Sequence, residues 1–281
     1  MQPYWTDGER TIYHGDCLEI LPLLGSQTVS LVIADPPYGC PPPVTKWSPG
    51  SGRDIIRHIG DVSWDTAKWD WLERAARVLT GQGQLLCFCR LEDIGVVREA
   101  IAEAGLPGRG TLVWQKTNPV PKGKCKVYES AIEAICWGAR HGYYWLRADD
   151  APDRWNVIQC AHESNPSECF HPSQKPVRVI ERLVRAHCPP GGAVLDPFMG
   201  SGTTLVVAKK LGLRGIGIEL NDSEDEPYCR IARRRIEAAE GLEPTLFDAT
   251  AAGKGAGAPG GGGLSARCSV LTPEVEEVAA G

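Results

Sequence analysis

Strands and helices alternate along residues 177–240, and this alternation limits the possible fold more than any other feature of the sequence. The apolar runs 193–196 and 215–219 each have the length of a buried strand, and helical segments precede, separate and follow them. Parallel neighbouring strands need a crossover connection, which is usually a helix that covers one face of the sheet. The sequence therefore predicts an α/β fold with a mostly parallel sheet and helices on both faces.

The composition predicts one folded domain followed by a tail. Apolar residues make up 42% of the 281 residues and charged residues 23%, which is enough to bury a core. We expect residues 1–240 to form this domain. We expect residues 241–281 to form a flexible tail, because glycine occupies seven of the eleven positions in 253–263.

The sequence gives no sign of a membrane span or of a secreted protein. It has no run of about 18 apolar residues, and its first ten residues are polar. Eleven cysteines, an odd number without regular spacing, are typical of reduced thiols. We therefore expect a cytoplasmic protein with no membrane partner.

A glycine-rich turn, Gly200–Thr203, follows one predicted strand and opens a helix. Glycine lets a ligand approach the backbone closely, and the first turn of a helix offers unpaired N–H groups. Asp196 ends the strand before the turn, and Glu219 ends the next strand at a spacing typical of a carboxylate that binds ribose hydroxyls. The alternative is a tight structural turn beside an exposed glutamate.

A second turn, Asp35-Pro-Pro-Tyr38, follows the apolar run 29–34, which has the character of a buried strand. Its prolines lack N–H donors but keep their carbonyl oxygens, so the turn offers several acceptors beside an aromatic ring. Such a group suits an exocyclic amine, because accepting both amino hydrogens localises the nitrogen lone pair and favours its attack. The alternative is a proline-rich turn in which Asp35 is only a cap.

Three segments together resemble the amino-group DNA methyltransferases that use S-adenosylmethionine. They are Asp35-Pro-Pro-Tyr38, Leu195-Asp-Pro-Phe-Met-Gly-Ser-Gly-Thr-Thr204 and His171-Pro-Ser-Gln-Lys-Pro176. Because the catalytic segment precedes the cofactor segment, the order resembles the circularly permuted beta class. The resemblance covers about residues 10–240 and implies a Rossmann-like mixed sheet in the permuted methyltransferase order.

The resemblance also implies a role for each matching residue. Asp35 and Pro36 would accept from the target amine, Tyr38 would stack on the flipped base, Glu219 would hold the ribose, and Lys175 would lie near the cofactor carboxylate, although a lysine there could equally bind a phosphate. The implied catalytic residues are Asp35, Pro36, Pro37 and Tyr38. The implied residues for S-adenosylmethionine are Asp16, Cys17, Ser173, Lys175, Asp196, Phe198, Gly200, Ser201, Gly202, Thr203 and Glu219.

Contact with double-stranded DNA must come from local patches, because the net charge of the chain is −5. We expect recognition insertions at about 39–63 and 109–170, since the first is long and rich in proline and glycine and the second carries interleaved basic and aromatic residues. A solvated basic surface is the alternative for any single lysine. The candidate residues for DNA contact are Lys46, Arg53, Arg57, Lys116, Lys122, Lys124 and Lys126.

The predicted substrate is the N6 amino group of adenine, since the resemblance favours aspartate over serine at position 35 for that base. Cytosine N4 is the first alternative, and RNA or a protein glutamine is a weaker one. We expect no metal, because Cys160-x-His162 and Cys169-x-His171 lack the usual zinc pairing of two closely spaced cysteines, and His171 already belongs to the segment 171–176. A homodimer and a cognate restriction enzyme are possible partners in a bacterial or phage-encoded system. The acidic segment 221–227, which departs from the family pattern, could reshape the ribose site.

Overall fold

The computed structural model describes most of the predicted domain. The described residues are 2–38, 69–119, 128, 130–143, 155–163, 170, 174–224 and 227–241. Internal contacts group Met1–Glu243 into one compact unit, and residues 244–281 lie outside the described residues. The predicted insertion 39–63 also lies outside them.

The described residues contain nine strands and six α-helices. The strands are β1 (Trp5–Thr6), β2 (Arg10–His14), β3 (Val29–Ala34), β4 (Leu79–Cys89), β5 (Gly108–Lys116), β6 (Ile132–Ala139), β7 (Val157–Cys160), β8 (Ala193–Asp196) and β9 (Arg214–Glu219). The helices are α1 (Cys17–Ile20), α2 (Trp71–Val78), α3 (Ile94–Glu103), α4 (Val177–His187), α5 (Thr203–Lys210) and α6 (Tyr228–Ala238).

All nine strands join one sheet in the order β1-β2-β9-β8-β3-β4-β6-β5-β7. The central pairs β2–β9, β9–β8, β8–β3 and β3–β4 are parallel, whereas β6 is antiparallel to both of its neighbours. Apolar clusters pack between this sheet and the helices. The prediction of a mostly parallel α/β sheet is confirmed.

The strands before the two turn motifs are neighbours, although about 160 residues separate them in the sequence. β3 pairs with β8 in parallel, with Leu31 opposite Val194 and Val32 opposite Leu195. Parallel neighbours end at the same edge of a sheet, so Asp35 after β3 and Asp196 at the end of β8 meet there. In open α/β sheets, ligands bind outside this carboxyl edge.

The range of about 109–170, which we expect to hold a recognition insertion, also contributes the strands β5, β6 and β7 to the main sheet. Apolar side chains are the reason: Leu112, Trp114 and Ile135 pack with Ile180 and Leu183 of α4 in one buried cluster. The expected DNA contacts of this range would then come from the connections between these strands. Most of those residues lie outside the described part of the chain.

Apolar residues recur at helical spacing over 65–79, and this pattern by itself predicts a helix that ends at Gly81 and Gly83. The structure differs at the start of β4. Helix α2 spans Trp71–Val78, and the chain becomes extended at Leu79 because that residue pairs with Val29 of β3. Both glycines therefore lie inside β4. Among the described residues, no helix has the length and apolar character to cross a membrane, and no cluster of His, Cys, Asp and Glu could hold a metal ion.

Candidate active site

The Asp35 carboxylate is held from two sides at the carboxyl end of β3. The Tyr38 hydroxyl donates to its Oδ1 at 2.5 Å, and the Lys175 ammonium donates to its Oδ2. The Asp35 side chain remains 26% exposed, so a ligand can still reach it. A carboxylate has about four lone-pair sites, and two of these remain for a further donor.

Lys175 belongs to a buried network of two lysines and two carboxylates. Its side chain is only 7% exposed, and its Nζ lies 3.3 Å from Oε2 of Glu133, a residue of β6. The other oxygen, Oε1, accepts from Nζ of Lys116 at 2.7 Å. The family resemblance implies that Lys175 lies near a cofactor carboxylate, but here its ammonium contacts the carboxylates of Asp35 and Glu133.

The pKa shifts of Lys175 and Glu133 favour the charged forms of both side chains. Burial alone would lower the pKa of Lys175, but attraction to Asp35 and Glu133 raises it above its ordinary value. Burial alone would raise the pKa of Glu133, but Lys175 and Lys116 lower it. Burial and the nearby Asp35 carboxylate hold the pKa of Tyr38 well above its ordinary value, so its phenol stays a donor.

Asp196 anchors the start of the glycine turn. Its Oδ1 accepts from the Phe198 backbone N–H at 3.0 Å, and its Oδ2 accepts from the Thr204 hydroxyl at 2.6 Å. Burial raises its pKa to about 7, and the charges of Asp35 and Glu219 add to this rise. The parallel pairing of β3 with β8 brings Asp35 and Asp196 to the same edge of the sheet, where their like charges oppose each other.

Two glycines give the turn its shape. Gly200 has φ of +53° and Gly202 has φ of +83°, in the left-handed region that other residues rarely adopt. A Cβ on Gly202 would lie 2.6 Å from the Cβ of Ala232 in α6, whereas a Cβ on Gly200 would meet nothing within 4 Å. Gly202 therefore allows close packing, and Gly200 leaves open space beside the turn.

Glu219 lies at the end of β9 and closes the other side of the turn. Its Oε2 accepts from the Gly200 N–H at 2.7 Å, and its Oε1 accepts from the Asn221 N–H at 2.8 Å. Burial raises its pKa, although these backbone donors oppose the rise. Two residues of the acidic segment 221–227 make local hydrogen bonds here. The Asn221 N–H donates to the Glu219 carboxylate, and Asp222 Oδ1 accepts from the Cys229 N–H at the start of α6.

Asp16 lies at the same edge of the sheet. The Gly15 N–H donates to the Glu219 carbonyl at 2.9 Å, so the end of β2 stays beside the end of β9. Oδ1 of Asp16 accepts from the Leu18 N–H at 2.8 Å and caps α1. Cys17 is buried, and this burial, together with Asp16, raises the pKa of its thiol to about 12.

Ser201 is fixed by two residues that the sequence analysis missed. Its hydroxyl donates to Gln174 Oε1 at 2.9 Å, and its carbonyl accepts from Arg235 of α6 at 2.6 Å. Phe198 packs edge-on against Trp71 at 5.1 Å between ring centroids. Arg235 belongs to no local motif, and Gln174 lies in the segment His171–Pro176 without an assigned role, because tertiary packing alone brings both side chains to the turn.

Glu133 is the third residue that the sequence analysis missed. The sequence did carry a signal: Glu133 is one of only two acidic residues in the basic stretch 109–147. Lys116, a candidate for DNA contact, has an ammonium that pairs with Glu133 and a side chain that is only 14% exposed. It therefore belongs to the Asp35 network and not to an open basic surface.

The remaining predicted residues are not all described. Pro36 and Pro37 follow Asp35 in the turn, and Thr203 begins α5. Ser173 lies outside the described residues, and so do six candidates for DNA contact: Lys46, Arg53, Arg57, Lys122, Lys124 and Lys126.

The arrangement has two chemical parts at one edge of the sheet. The Asp35 turn presents hydrogen-bond acceptors, and the glycine turn has open space beside Gly200 and is held by the buried carboxylates of Asp196 and Glu219. The second part can take a ligand that carries hydroxyl and ammonium groups, and the first can take a ligand that donates from an amine.

Comparison with known proteins gives consistent matches. A family model described as DNA methylase, of the N6/N4 methyltransferase type, matches residues 29–233. The type II methyltransferase M2.DpnII of Streptococcus pneumoniae is 32% identical over 84% of this chain and 93% of that protein. The type II methyltransferase M2.LlaDCHI of Lactococcus lactis subsp. cremoris is 30% identical over 84% of this chain and 92% of that protein. The crystal structure of the M1.HpyAVI–SAM complex superposes with a TM-score of 0.62 at 25% identity, covering 80% of this chain and 99% of that one.

Proposed function

Because this chain belongs to the N6/N4 family of DNA methylases, we propose that it methylates the N6 amino group of adenine in double-stranded DNA. It is a type II DNA methyltransferase that uses S-adenosylmethionine. The choice of adenine is supported by aspartate at position 35, since related enzymes that modify cytosine N4 more often carry serine there. A cognate restriction enzyme and a homodimer are part of the same proposal.

The observation that carries the proposal is the adjacency of β3 and β8. It brings the acceptor turn after β3 and the glycine turn after β8 to one edge of the sheet. A methyl donor at one turn and an amine at the other would therefore be held close together and in a fixed orientation. Orientation of this kind can supply a large part of a rate enhancement for a displacement reaction.

The residues of the glycine turn fit S-adenosylmethionine. Each Glu219 oxygen accepts one backbone N–H and has a second lone-pair site, so the carboxylate can also accept from the ribose hydroxyls. Asp196, whose pKa is about 7, would be stabilised in its ionised form by the ammonium group of the ligand. The space beside Gly200 leaves room for close approach to the backbone.

The Asp35 turn would activate the target amine. When bound, S-adenosylmethionine supplies an electrophilic methyl group on a sulfonium. Asp35 and the Pro36 carbonyl would accept the two amino hydrogens, so the nitrogen lone pair is freed from the ring and can attack. As the bond from nitrogen to the methyl carbon forms, the bond from that carbon to sulfur would break and leave a neutral thioether. The nitrogen would gain positive charge, and Asp35 or solvent would then take its proton.

The target base has to leave the duplex to reach this turn. Extrusion costs a few kcal/mol, which stacking and edge hydrogen bonds offset in the pocket. Tyr38 would supply the stacking surface, while its hydroxyl keeps the Asp35 carboxylate in place. We assign phosphate contact to the basic residues of 39–63 and 120–127, which lie outside the described part of the chain.

The test is methylation of duplex DNA with labelled S-adenosylmethionine, followed by digestion to nucleosides and mass spectrometry. We expect N6-methyladenine. Detection of N4-methylcytosine would instead identify cytosine as the target base and contradict the assignment of adenine. RNA and a glutamine-containing protein are offered in parallel, and labelling of either one in place of DNA would contradict the proposal.

The Asp35→Ala variant tests the assignment of the acceptor. We expect loss of methyl transfer with the affinity for S-adenosylmethionine unchanged within several-fold, because Asp35 lies on the amine side of the site. Asp7→Ala is a matched control, since Asp7 pairs with Arg10 at the amino end of β2, the opposite end of the parallel strands from Asp35, and the variant should keep activity. A collapse of cofactor affinity in Asp35→Ala would contradict this role.

A further inference from the structure

A side chain from β6 completes the acceptor site, although neither turn motif contains it. We propose that Glu133 is a positioning residue for methyl transfer, which holds the Lys175 ammonium against Asp35 and so fixes the carboxylate that accepts the target amine. The inference rests on the proposed role of Asp35. It extends the reaction machinery to a strand on the far side of β4.

The geometry leaves Lys175 little freedom. Its Nζ contacts Asp35 Oδ2 and lies 3.3 Å from Glu133 Oε2, with its side chain 7% exposed. The rings of Tyr38 and Phe88 lie 5.6 Å and 5.1 Å from the same Nζ. The ammonium is therefore enclosed by two carboxylates and two aromatic rings, and it keeps one orientation toward Asp35.

The charges of the network balance, and this balance matters for the reaction. Asp35 and Glu133 are negative, whereas Lys116 and Lys175 are positive. The amine nitrogen gains positive charge during methyl transfer, so an unbalanced ammonium nearby would oppose the reaction. Glu133 cancels this opposing charge while Lys175 keeps its hold on Asp35.

Lys175 also has a direct connection to the cofactor turn. Its neighbour Gln174 accepts from the Ser201 hydroxyl at 2.9 Å, and Ser201 lies between Gly200 and Gly202. Two consecutive residues thus touch both turn motifs, one through an amide and one through an ammonium. A shift of Lys175 away from Asp35 would therefore disturb the distance between the two reacting groups.

Loss of the Glu133 charge would lower the pKa of Lys175, and this predicts how activity changes with pH. Burial alone would lower the pKa of Lys175, and the two carboxylates reverse this effect. Without the Glu133 charge, the pKa of Lys175 falls, and the ammonium loses its proton at a lower pH than in the wild type. The charged or titratable groups around Lys175 are Asp35 and Tyr38 after β3, Cys87 of β4, Lys116 of β5, Glu133 of β6 and, beyond Asp35, Asp196 of β8.

The experiment compares Glu133→Gln with the wild type in full-length protein. We expect kcat to fall about 10- to 100-fold, as for the loss of one charge-assisted hydrogen bond, with the KM for S-adenosylmethionine changed less than about threefold. We also expect kcat of the variant to decline as pH rises through the lowered pKa of Lys175, whereas the wild type keeps its rate there. Glu237→Gln is the matched control, because Glu237 pairs with Arg233 on the exposed face of α6.

The double variant Glu133→Gln/Lys175→Met separates positioning from a general structural effect. If Glu133 acts through Lys175, the Glu133→Gln change should cost less than about twofold in the Lys175→Met background. An equal loss in both backgrounds, or a wild-type pH profile in Glu133→Gln, would overturn the proposal. Should Glu133→Gln fail to fold, Glu133→Asp keeps the charge on a shorter side chain, and an unchanged kcat in that variant would likewise overturn it.

Asp35→Ala separates this inference from the proposed function. If Asp35→Ala is inactive and Glu133→Gln behaves like Glu237→Gln, the acceptor role stands and the positioning role fails. If Asp35→Ala retains full activity, the proposed role of Asp35 fails, and the positioning role of Glu133 fails with it.

Discussion

The close packing of Gly202 on α6 makes a prediction whose size follows from the structure. In Gly202→Ala, the new Cβ would lie 2.6 Å from the Ala232 Cβ and 3.0 Å from the Ala232 Cα, so backbone has to move. The residue also keeps a φ of +83°, which costs an L residue about 1–2 kcal/mol. Overpacking adds about 1–3 kcal/mol, so the free energy of unfolding should fall by about 2–5 kcal/mol.

A second glycine, Gly212, separates the cost of the positive φ from the cost of the collision with α6. Gly212 has φ of +64° with nothing within 4 Å of an added Cβ, and it lies after α5, away from the turn. Gly212→Ala should therefore carry the backbone cost alone. The difference between the two variants isolates the collision with α6, and it corresponds to a melting temperature about 2–12 °C lower for Gly202→Ala.

Gly200→Ala connects this prediction to ligand binding. Its φ is +53° and its added Cβ meets nothing, so its melting temperature should match that of Gly212→Ala. Because the open space beside Gly200 is where we place S-adenosylmethionine, this variant should also bind that ligand more weakly than Gly212→Ala does. The assays are thermal unfolding by circular dichroism and calorimetric titration. Equal melting temperatures for Gly202→Ala and Gly212→Ala, within about 1 °C, would refute the packing argument.

Three further predictions concern charge. Glu219→Ala should raise the KM for S-adenosylmethionine far more than the KM for DNA, and equal changes in steady-state kinetics would contradict the ribose role. Folding raises the pKa of Asp196 from 3.8 to about 7, so its protonated form stabilises the chain below pH 3.8, and this contribution is lost as the pH rises through 7. In urea unfolding at several pH values, the free energy of unfolding should therefore change less with pH in Asp196→Asn than in the wild type. The same change with pH in both proteins would contradict the raised pKa of Asp196. Joint replacement of Lys122, Lys124 and Lys126 by alanine should reduce the slope of log binding constant against log salt concentration by about 2–3. An unchanged slope in the variant would place the DNA-binding surface elsewhere.

The local sequence patterns were enough to identify the two turns. Proline at 36 and 37 and glycine at 200 and 202 restrict or free the backbone at specific positions, and they follow apolar runs of strand length. Such signals depend on nearest neighbours in the chain, so they can be recognised without any knowledge of packing. The same patterns did not reveal the three sheet strands within 109–170, because a basic and aromatic stretch can also supply strands whose alternate side chains are buried.

The sequence by itself determined the type of sheet, the order of the two motifs and the chemistry that each can offer. Only the tertiary structure decided that Lys175 forms ion pairs with Asp35 and with Glu133 of β6, and that Gln174 accepts a hydrogen bond from the glycine turn. The physical reason is the distance along the chain over which each effect acts. Hydrophobic periodicity and backbone preference act over a few residues, whereas the partner of a buried charge is set by which strands become neighbours in the sheet. In this chain, pairing of β3 with β4 and of β4 with β6 brings together groups that lie about 40 to 140 residues apart in the sequence.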